Sequence, residues 1–191
     1  MKDILFVGMG SIGQRHIQNA KKIFKNSNFF ALRKTNHNNI IESAKLKRKE
    51  DLKKYYSLKK IFKSSESIKI NPFITFICNP TSLHTDTAIE FASRGSHIFI
   101  EKPIGVNKNK IKKLKKILKR KKLCSFIGYQ FRFHPAIIYL KKIINNEKFG
   151  KVISGNFSFL TYLPNHHKYE NYKKNYVALK KLGGGTALNL S

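Results

Sequence analysis

Along the first two thirds of the chain, short unbroken apolar runs alternate with stretches whose apolar residues recur every three or four positions. The runs "DILFVG" (3–8), "NFFAL" (28–32), "FITFIC" (73–78), "HIFIE" (97–101) and "CSFIGY" (124–129) read as strands buried on both faces. Between them, residues 11–24 turn Ile12, Ile17, Ala20, Ile23 and Phe24 inward as a helix. A second helix over 83–94 follows the turn "NPTS" and ends at Gly95. A third over 107–123 lines Ile111, Leu114, Ile117 and Leu118 along one face. The region from 39 to 62 is less clearly patterned. It is expected to hold a basic helix over 39–49, a short third strand over 53–57 and a helix from its cap Ser57 through Phe62.

Six strands alternating with helices in about 130 residues predict an α/β fold, a Rossmann-type doubly wound parallel sheet. Past Gln130 the rhythm changes. Residues 135–145 form an amphipathic helix, and 151–162, "KVISGNFSFLTY", alternate as in an antiparallel sheet open on one side. The expected division is a dinucleotide-binding domain over 1–129 and the start of a second α/β domain over 130–191. The final "KKLGGGTALNLS" opens a further apolar element, with Thr186 as its cap and Ala187, Leu188 and Leu190 as its first turns.

Composition changes this picture little. The 191 residues carry 39 Lys and Arg against 10 Asp and Glu, a formal charge of +29. Such an excess suggests nucleic acid or an anionic membrane surface. However, nearly all of it is lysine, and the lysines of 107–123 lie opposite an apolar stripe, as on the solvated face of a packed helix. The sequence has no RNP-type aromatic motif, zinc-finger spacing or internal repeat, so nucleic-acid binding stands only as a rival reading. No apolar run approaches the roughly 20 residues of a membrane helix. With an apolar strand reached by Ile4, no signal or transit peptide is expected. Cys78 and Cys124, at the edges of apolar runs, are expected to be buried free thiols, with no disulfide and no metal, in a reducing cytoplasmic setting. The adjacent His166 and His167 are expected to be solvated.

The chemistry lies at the strand ends. "GMGSIG" places Gly8, Gly10 and Gly13 in G-x-G-x-x-G spacing, directly after an apolar strand and at the opening of a helix. Gly8 permits the tight turn, Gly10 lets the backbone approach a diphosphate, and Gly13 lets helix and strand pack closely. The N–H groups at the helix start, with Ser11 and Ile12, meet the phosphates. Where a free ribose 2′-hydroxyl usually meets an acidic side chain, the second strand ends in Arg33 and Lys34. NADP is therefore favoured over NAD, by roughly tenfold for a partly exposed charge-assisted bond. The alternative is that Arg33 is one more surface cation. Asn79, Pro80 and His84 in "CNPTSLH" shape a turn beside the nicotinamide half. Glu101 and Lys102 in "EKP" end the fifth strand, where Lys102 is placed to orient or polarise a substrate hydroxyl. His16 reads as a helix-face residue that packs near the glycine loop.

"FVGMGSIGQRH", "NPTSLH", "HIFIEKPIG", "GYQFRFHP" and "LGGGTALNLS", in this order and spacing, resemble the Gfo/Idh/MocA oxidoreductases, named for glucose–fructose oxidoreductase and inositol dehydrogenase. The resemblance implies a Rossmann domain followed by a substrate and oligomerisation domain built on a large open sheet. It also implies hydride transfer between NAD(P) and a sugar- or cyclitol-type hydroxyl or carbonyl. By resemblance Lys102 is the active-site lysine, with Gly8, Gly10, Gly13, Asn79 and Pro80 lining the cofactor. Arg132 and His134 lie near the substrate side, and Tyr172, Lys173 and Tyr176 fall in a segment that contacts substrate in some members. Asn189 stands where relatives carry an Asp, and their proton-exchanging His falls just beyond residue 191. The chain is thus expected to be the front part of a longer member, with activity in doubt and the relatives' homo-oligomeric assembly affected. The rival readings are a non-catalytic dinucleotide-binding module and a basic nucleic-acid-binding protein.

Overall fold

The computed structural model describes residues 1–35, 38–42, 45–146, 149–158, 160, 162, 171, 173 and 178–185. Strand β1 (Lys2–Val7) enters the middle of a six-stranded sheet. It is flanked by β2 (Ser27–Leu32) on one side and by β6 (Ile74–Ile77) on the other, parallel to both. β5 (Lys60–Phe62) extends the sheet beyond β2, and β7 (His97–Ile100) and β8 (Ser125–Ile127) extend it beyond β6, all in parallel. The resulting order is β5-β2-β1-β6-β7-β8. The chain therefore winds outward from β1, then returns to lay down the other half. The crevice beyond β1 and β6 is the place where such a sheet receives ligands.

The two faces of the sheet follow from the alternation within β1. Leu5 and Val7 join a core completed by Phe91 and Ala88 of α3 (His84–Ser93) and by Leu114 and Ile117 of α4 (Lys108–Arg120). Ile4 and Phe6 face the opposite core, where Ile17 and Ala20 of α1 (Ser11–Ile23) meet Leu52 of the short α2 (Leu52–Tyr55). Asn107 caps α4 by accepting from the N–H groups of Asn109 and Lys110, and the lysines of this helix are exposed as its pattern predicts. α1 meets β1 through glycine. A β-carbon on residue 13 would fall 2.1 Å from the Gly8 carbonyl oxygen, and one on residue 8, at φ +94°, would fall 2.6 Å from the Cys78 carbonyl oxygen.

Three expectations are corrected. Residues 39–49 form a hairpin of β3 (Asn39–Glu42) and β4 (Lys45–Lys49), not a helix. A register shift between Ile40 and Ile41 goes with burial of both neighbours, which regular alternation would not allow. The tertiary hydrogen bonds of Gln14 described below override the helix-forming composition. Residues 53–57 are not the third strand, and Ser57 caps no helix through Phe62. Asp51 caps α2 instead, accepting from the N–H groups of Lys53 and Lys54, and β5 follows as the third strand of the main sheet. Finally, no described residue between 151 and 162 belongs to a strand. Ile153, Phe157 and Leu160 are almost fully exposed there, and a strand without a ladder partner has nothing to hold it.

α5 (Pro135–Asn145) starts with proline in its first turn, and His134 caps it through Nδ1, which accepts from the Ala136 N–H at 3.3 Å. Its apolar residues Ile137, Ile138 and Leu140 remain exposed. Among the described residues no helix is long and apolar enough to cross a membrane.

His84 fixes the two loops that follow β6 and β7. Its ring is 2 % exposed, with Nδ1 2.7 Å from the Pro103 carbonyl oxygen and Nε2 2.8 Å from that of Asn79. Burial holds its pKa below the ordinary 6.5, against the upward pull of the two carbonyls and the Glu101 charge. The unfolded chain therefore takes up this proton first as pH falls, and the His84 contribution, present above about pH 6.5, is lost below it. Urea midpoints measured from pH 7.5 down to 5.5 should fall more for the native chain than for His84→Gln. Parallel curves for the two would show that His84 carries no such linkage.

Candidate functional site

Among the described residues no side chain caps the first turn of α1. Gly10 is the N-cap residue, and the helical ladder begins with the Gln14 N–H donating to the Gly10 carbonyl at 3.0 Å. Helix geometry leaves the preceding amides pointing out of the helix end. Among the described residues, its chain neighbours aside, nothing lies within 4 Å of the place a Gly10 β-carbon would occupy. An uncapped, positively polarised helix end facing open space is a fit for a diphosphate. Ser11 and Ile12 are half-buried at its rim, and Gly13 is buried beneath it.

At the end of β2, Arg33 is 7 % exposed, and its backbone N–H donates to the Phe62 carbonyl at 3.0 Å. Burial lowers the pKa of its guanidinium from the ordinary value. It is thus not one more solvated cation, whereas Lys34 beside it is exposed.

The turn after β6 supplies Asn79 and Pro80. The Asn79 side-chain NH₂ donates to the Thr87 hydroxyl at 2.9 Å. Its Oδ1, together with the hydroxyl of the fully buried Thr81, has no hydrogen-bond partner among the described residues. Buried polar atoms of this kind are uncommon and costly, and they suit the polar edge of a bound nicotinamide nucleotide. Thr81 was not among the sequence candidates. The only signal for it was a hydroxyl next to Asn-Pro at a strand end. Gly183, in the late glycine run, lies against this turn, where a β-carbon would come within 2.9 Å of the Ser82 nitrogen and of Thr81 Cβ.

At the end of β7, Glu101 ties three motifs together. Its Oε1 lies 2.6 Å from His16 Nε2, with both side chains about 15 % exposed (16 % for His16 and 15 % for Glu101). Its Oε2 accepts from the Lys102 backbone N–H at 3.2 Å. After β8, a β-carbon on Gly128 would be 3.1 Å from the same carboxylate. The His16 ring packs edge-on against Phe99 and tilted against Phe76, so the residue does lie on the helix face. Its link to Glu101 is invisible in sequence. Lys102 is half-buried between Glu101 and the buried Pro103. Cys78 lies under the glycine loop, where burial, then the Glu101 charge, pushes its thiol pKa well up. Cys124 is exposed instead of buried, because it precedes the edge strand β8.

The glycine loop, Asn79, His84, Glu101 and Lys102 therefore converge. Arg132 is exposed in the turn Gln130–Phe133, and His134 serves as the cap of α5. The Lys173 N–H donates to Asn171 Oδ1 at 3.0 Å within a local turn. Tyr172, Tyr176, Asn189, Thr186 and the pair His166 and His167 lie outside the described residues.

Comparison with known proteins bears on the family and the fold. The Thermotoga maritima myo-inositol 2-dehydrogenase is 24 % identical over 147 residues, which is 76 % of this chain and 41 % of that protein. The Rhizobium meliloti inositol 2-dehydrogenase is 33 % identical over 76 residues, 40 % of this chain and 23 % of that one. Among solved structures, scyllo-inositol dehydrogenase from Lactobacillus casei, with bound NAD(H) and scyllo-inositol, superposes with a TM-score of 0.63 at 22 % identity, covering 78 % of this chain and 42 % of that one. An NAD-binding protein from Listeria innocua superposes with a TM-score of 0.66 at 18 % identity, covering 98 % of this chain and 51 % of that one. The chain thus spans about half or less of each of these relatives. Residues 2–129 match the family described as oxidoreductases with an NAD-binding Rossmann fold, and the chain belongs to this Gfo/Idh/MocA family.

Proposed function

We propose that the chain binds a nicotinamide dinucleotide across the ends of β1, β6 and β7, and that it serves hydride transfer to or from a sugar- or cyclitol-type hydroxyl or carbonyl. The observation that carries this reading is the uncapped α1 terminus opening on the empty ground at Gly10. The inositol dehydrogenases among the relatives support the substrate class. When bound, the dinucleotide supplies the hydride donor or acceptor. The α1 amides hold its diphosphate, and the turn at Asn79 and Thr81 borders the nicotinamide half. Lys102 donates to the substrate oxygen and stabilises charge there, with its backbone fixed by Glu101 and Pro103. Residues 130–191 belong to a substrate domain, with Arg132 and His134 on the substrate side. The two free cysteines fit a reducing, cytoplasmic setting.

Within this reading NADP is preferred over NAD. No acidic side chain stands at the end of β2, and Arg33 and Lys34 offer cationic groups to a 2′-phosphate.

Gly10→Val tests the site directly. The residue is in extended backbone at φ −72°, so valine fits the fold, while its side chain fills the approach of the diphosphate. Thermal unfolding should be unchanged within about 1 kcal/mol while NADH and NADPH binding, read by nicotinamide fluorescence, drops at least about 100-fold. Retained binding would remove the diphosphate from this loop.

Arg33→Ala should weaken NADPH about tenfold and NADH far less. Equal losses would mean that Arg33 does not read the 2′-phosphate.

Lys102→Ala should leave dinucleotide affinity within about twofold while lowering any sugar- or cyclitol-dependent turnover by at least about 100-fold. Unchanged turnover would show that another group acts on the substrate oxygen.

A further inference from the structure

Gln14 follows the third glycine of the loop and is completely buried. A primary amide has two N–H donors and two oxygen lone pairs, and burying them unmatched is costly. All four are used. Nε2 donates to the carbonyl oxygens of Met9 at 3.0 Å and Asn39 at 2.9 Å. Oε1 accepts from the Ile41 N–H at 2.8 Å and from the Tyr56 hydroxyl at 2.9 Å. One side chain thus joins the glycine loop to the hairpin β3–β4 and to the residue after α2.

The hairpin needs such an anchor. Its two strands form a sheet of their own, separate from the six-stranded one. An isolated two-stranded hairpin is marginal in water. Buried Ile40 and Ile41 supply its apolar contact, and Gln14 engages its first strand from both sides of Ile40. The hairpin also stands where it matters for a ligand. It begins shortly after Arg33, at the end of β2, where a doubly wound sheet places the ribose of the adenosine half. Gln14 itself lies in the first turn of the helix that faces the diphosphate.

We propose that Gln14 is a positioning residue of the dinucleotide site, seating the hairpin against the glycine loop so that β3–β4 walls the adenosine half of the cofactor. The proposal rests on the reading of this loop as a dinucleotide site. A purely structural role would make Gln14 matter equally for every ligand of the loop. A wall for adenosine makes it matter only for ligands that carry adenosine.

The experiment compares NADH with reduced nicotinamide mononucleotide, which has the nicotinamide and one phosphate but no adenosine. Both are titrated into the native chain, Gln14→Met and Tyr56→Phe, with circular dichroism as the check on folding. Gln14→Met should weaken NADH about tenfold, equivalent to about 1.4 kcal/mol, and the mononucleotide by less than about twofold. Tyr56→Phe removes one donor to Oε1 and should lower the NADH-to-mononucleotide affinity ratio about two- to threefold. Equal loss of both ligands in Gln14→Met, or loss of neither, overturns the proposal. If Gln14→Met does not fold, the Tyr56→Phe ratio decides, and an unchanged ratio overturns it. A native chain that binds no NADH overturns the dinucleotide reading and this inference with it. A native chain that binds NADH with variants indistinguishable from it overturns this inference alone.

Discussion

The carbonyl oxygen of Gly8 lies so near α1 that any β-carbon on residue 13 would overlap it, at 2.1 Å. This contact sets the distance between the end of β1 and the start of α1, and with it the direction in which the helix presents its free amides. The same loop is held from the far side, where Gly8 presses on the Cys78 and Asn79 backbone at the end of β6. Two neighbouring parallel strands and one helix thereby meet backbone to backbone, with the Cys78 side chain beneath them. The result is a rigid, backbone-lined floor, which suits a ligand recognised through its phosphates more than through its shape.

Around that floor polar contacts, buried or partly buried, add to the apolar packing that holds the loops. His84 spans the turns after β6 and β7, Glu101 joins His16 to the Lys102 peptide, and Gln14 joins the glycine loop to the hairpin. Loops carry many backbone groups that a core cannot bury unbonded. Directional contacts satisfy those groups and also fix each loop in one position. Lys102 shows the consequence. A lysine with four rotatable bonds is a poor positioning device by itself, but its main chain is held on both sides, so only the side chain remains to adjust.

Much of this was legible in the sequence wherever a residue's neighbours in space are also its neighbours in pattern. The unbroken runs in β1, β2, β6 and β7 announce strands covered by the two cores, and the glycine spacing after β1 announces the turn; the run at β8 reads the same way, but as the edge strand it is left exposed at Ser125 and Phe126. Between residues 39 and 62 the logic fails for a physical reason. The lysine-rich composition there favours a helix locally. What decides the outcome is a carboxamide from α1, distant in sequence, that bonds to Asn39 and Ile41. Asp51, not Ser57, starts the short helix, and choosing between two competing caps requires knowing which apolar residues the core accepts. The candidate site divides in the same way. Gly10, Asn79 and Lys102 are visible as motifs, whereas Thr81 and the His16–Glu101 link appear only once the strand ends are brought together.

The strong positive charge bears on this site without defining it. The exposed ion pair of Lys110 with Asp86 neutralises little, and the solvated lysines of α4 leave the surface strongly cationic. Such a field draws in any anion, a dinucleotide included, and salt weakens that attraction within about one Debye length. Because the attraction is indiscriminate, it cannot explain selection of one ligand over another. Selection has to come from groups that water and salt do not screen. In the proposed reading these are the α1 amides over Gly10, the buried oxygens of Asn79 and Thr81, and the start of the hairpin. In that reading the surface charge acts on the rate of encounter, and the backbone-lined floor on which anion remains.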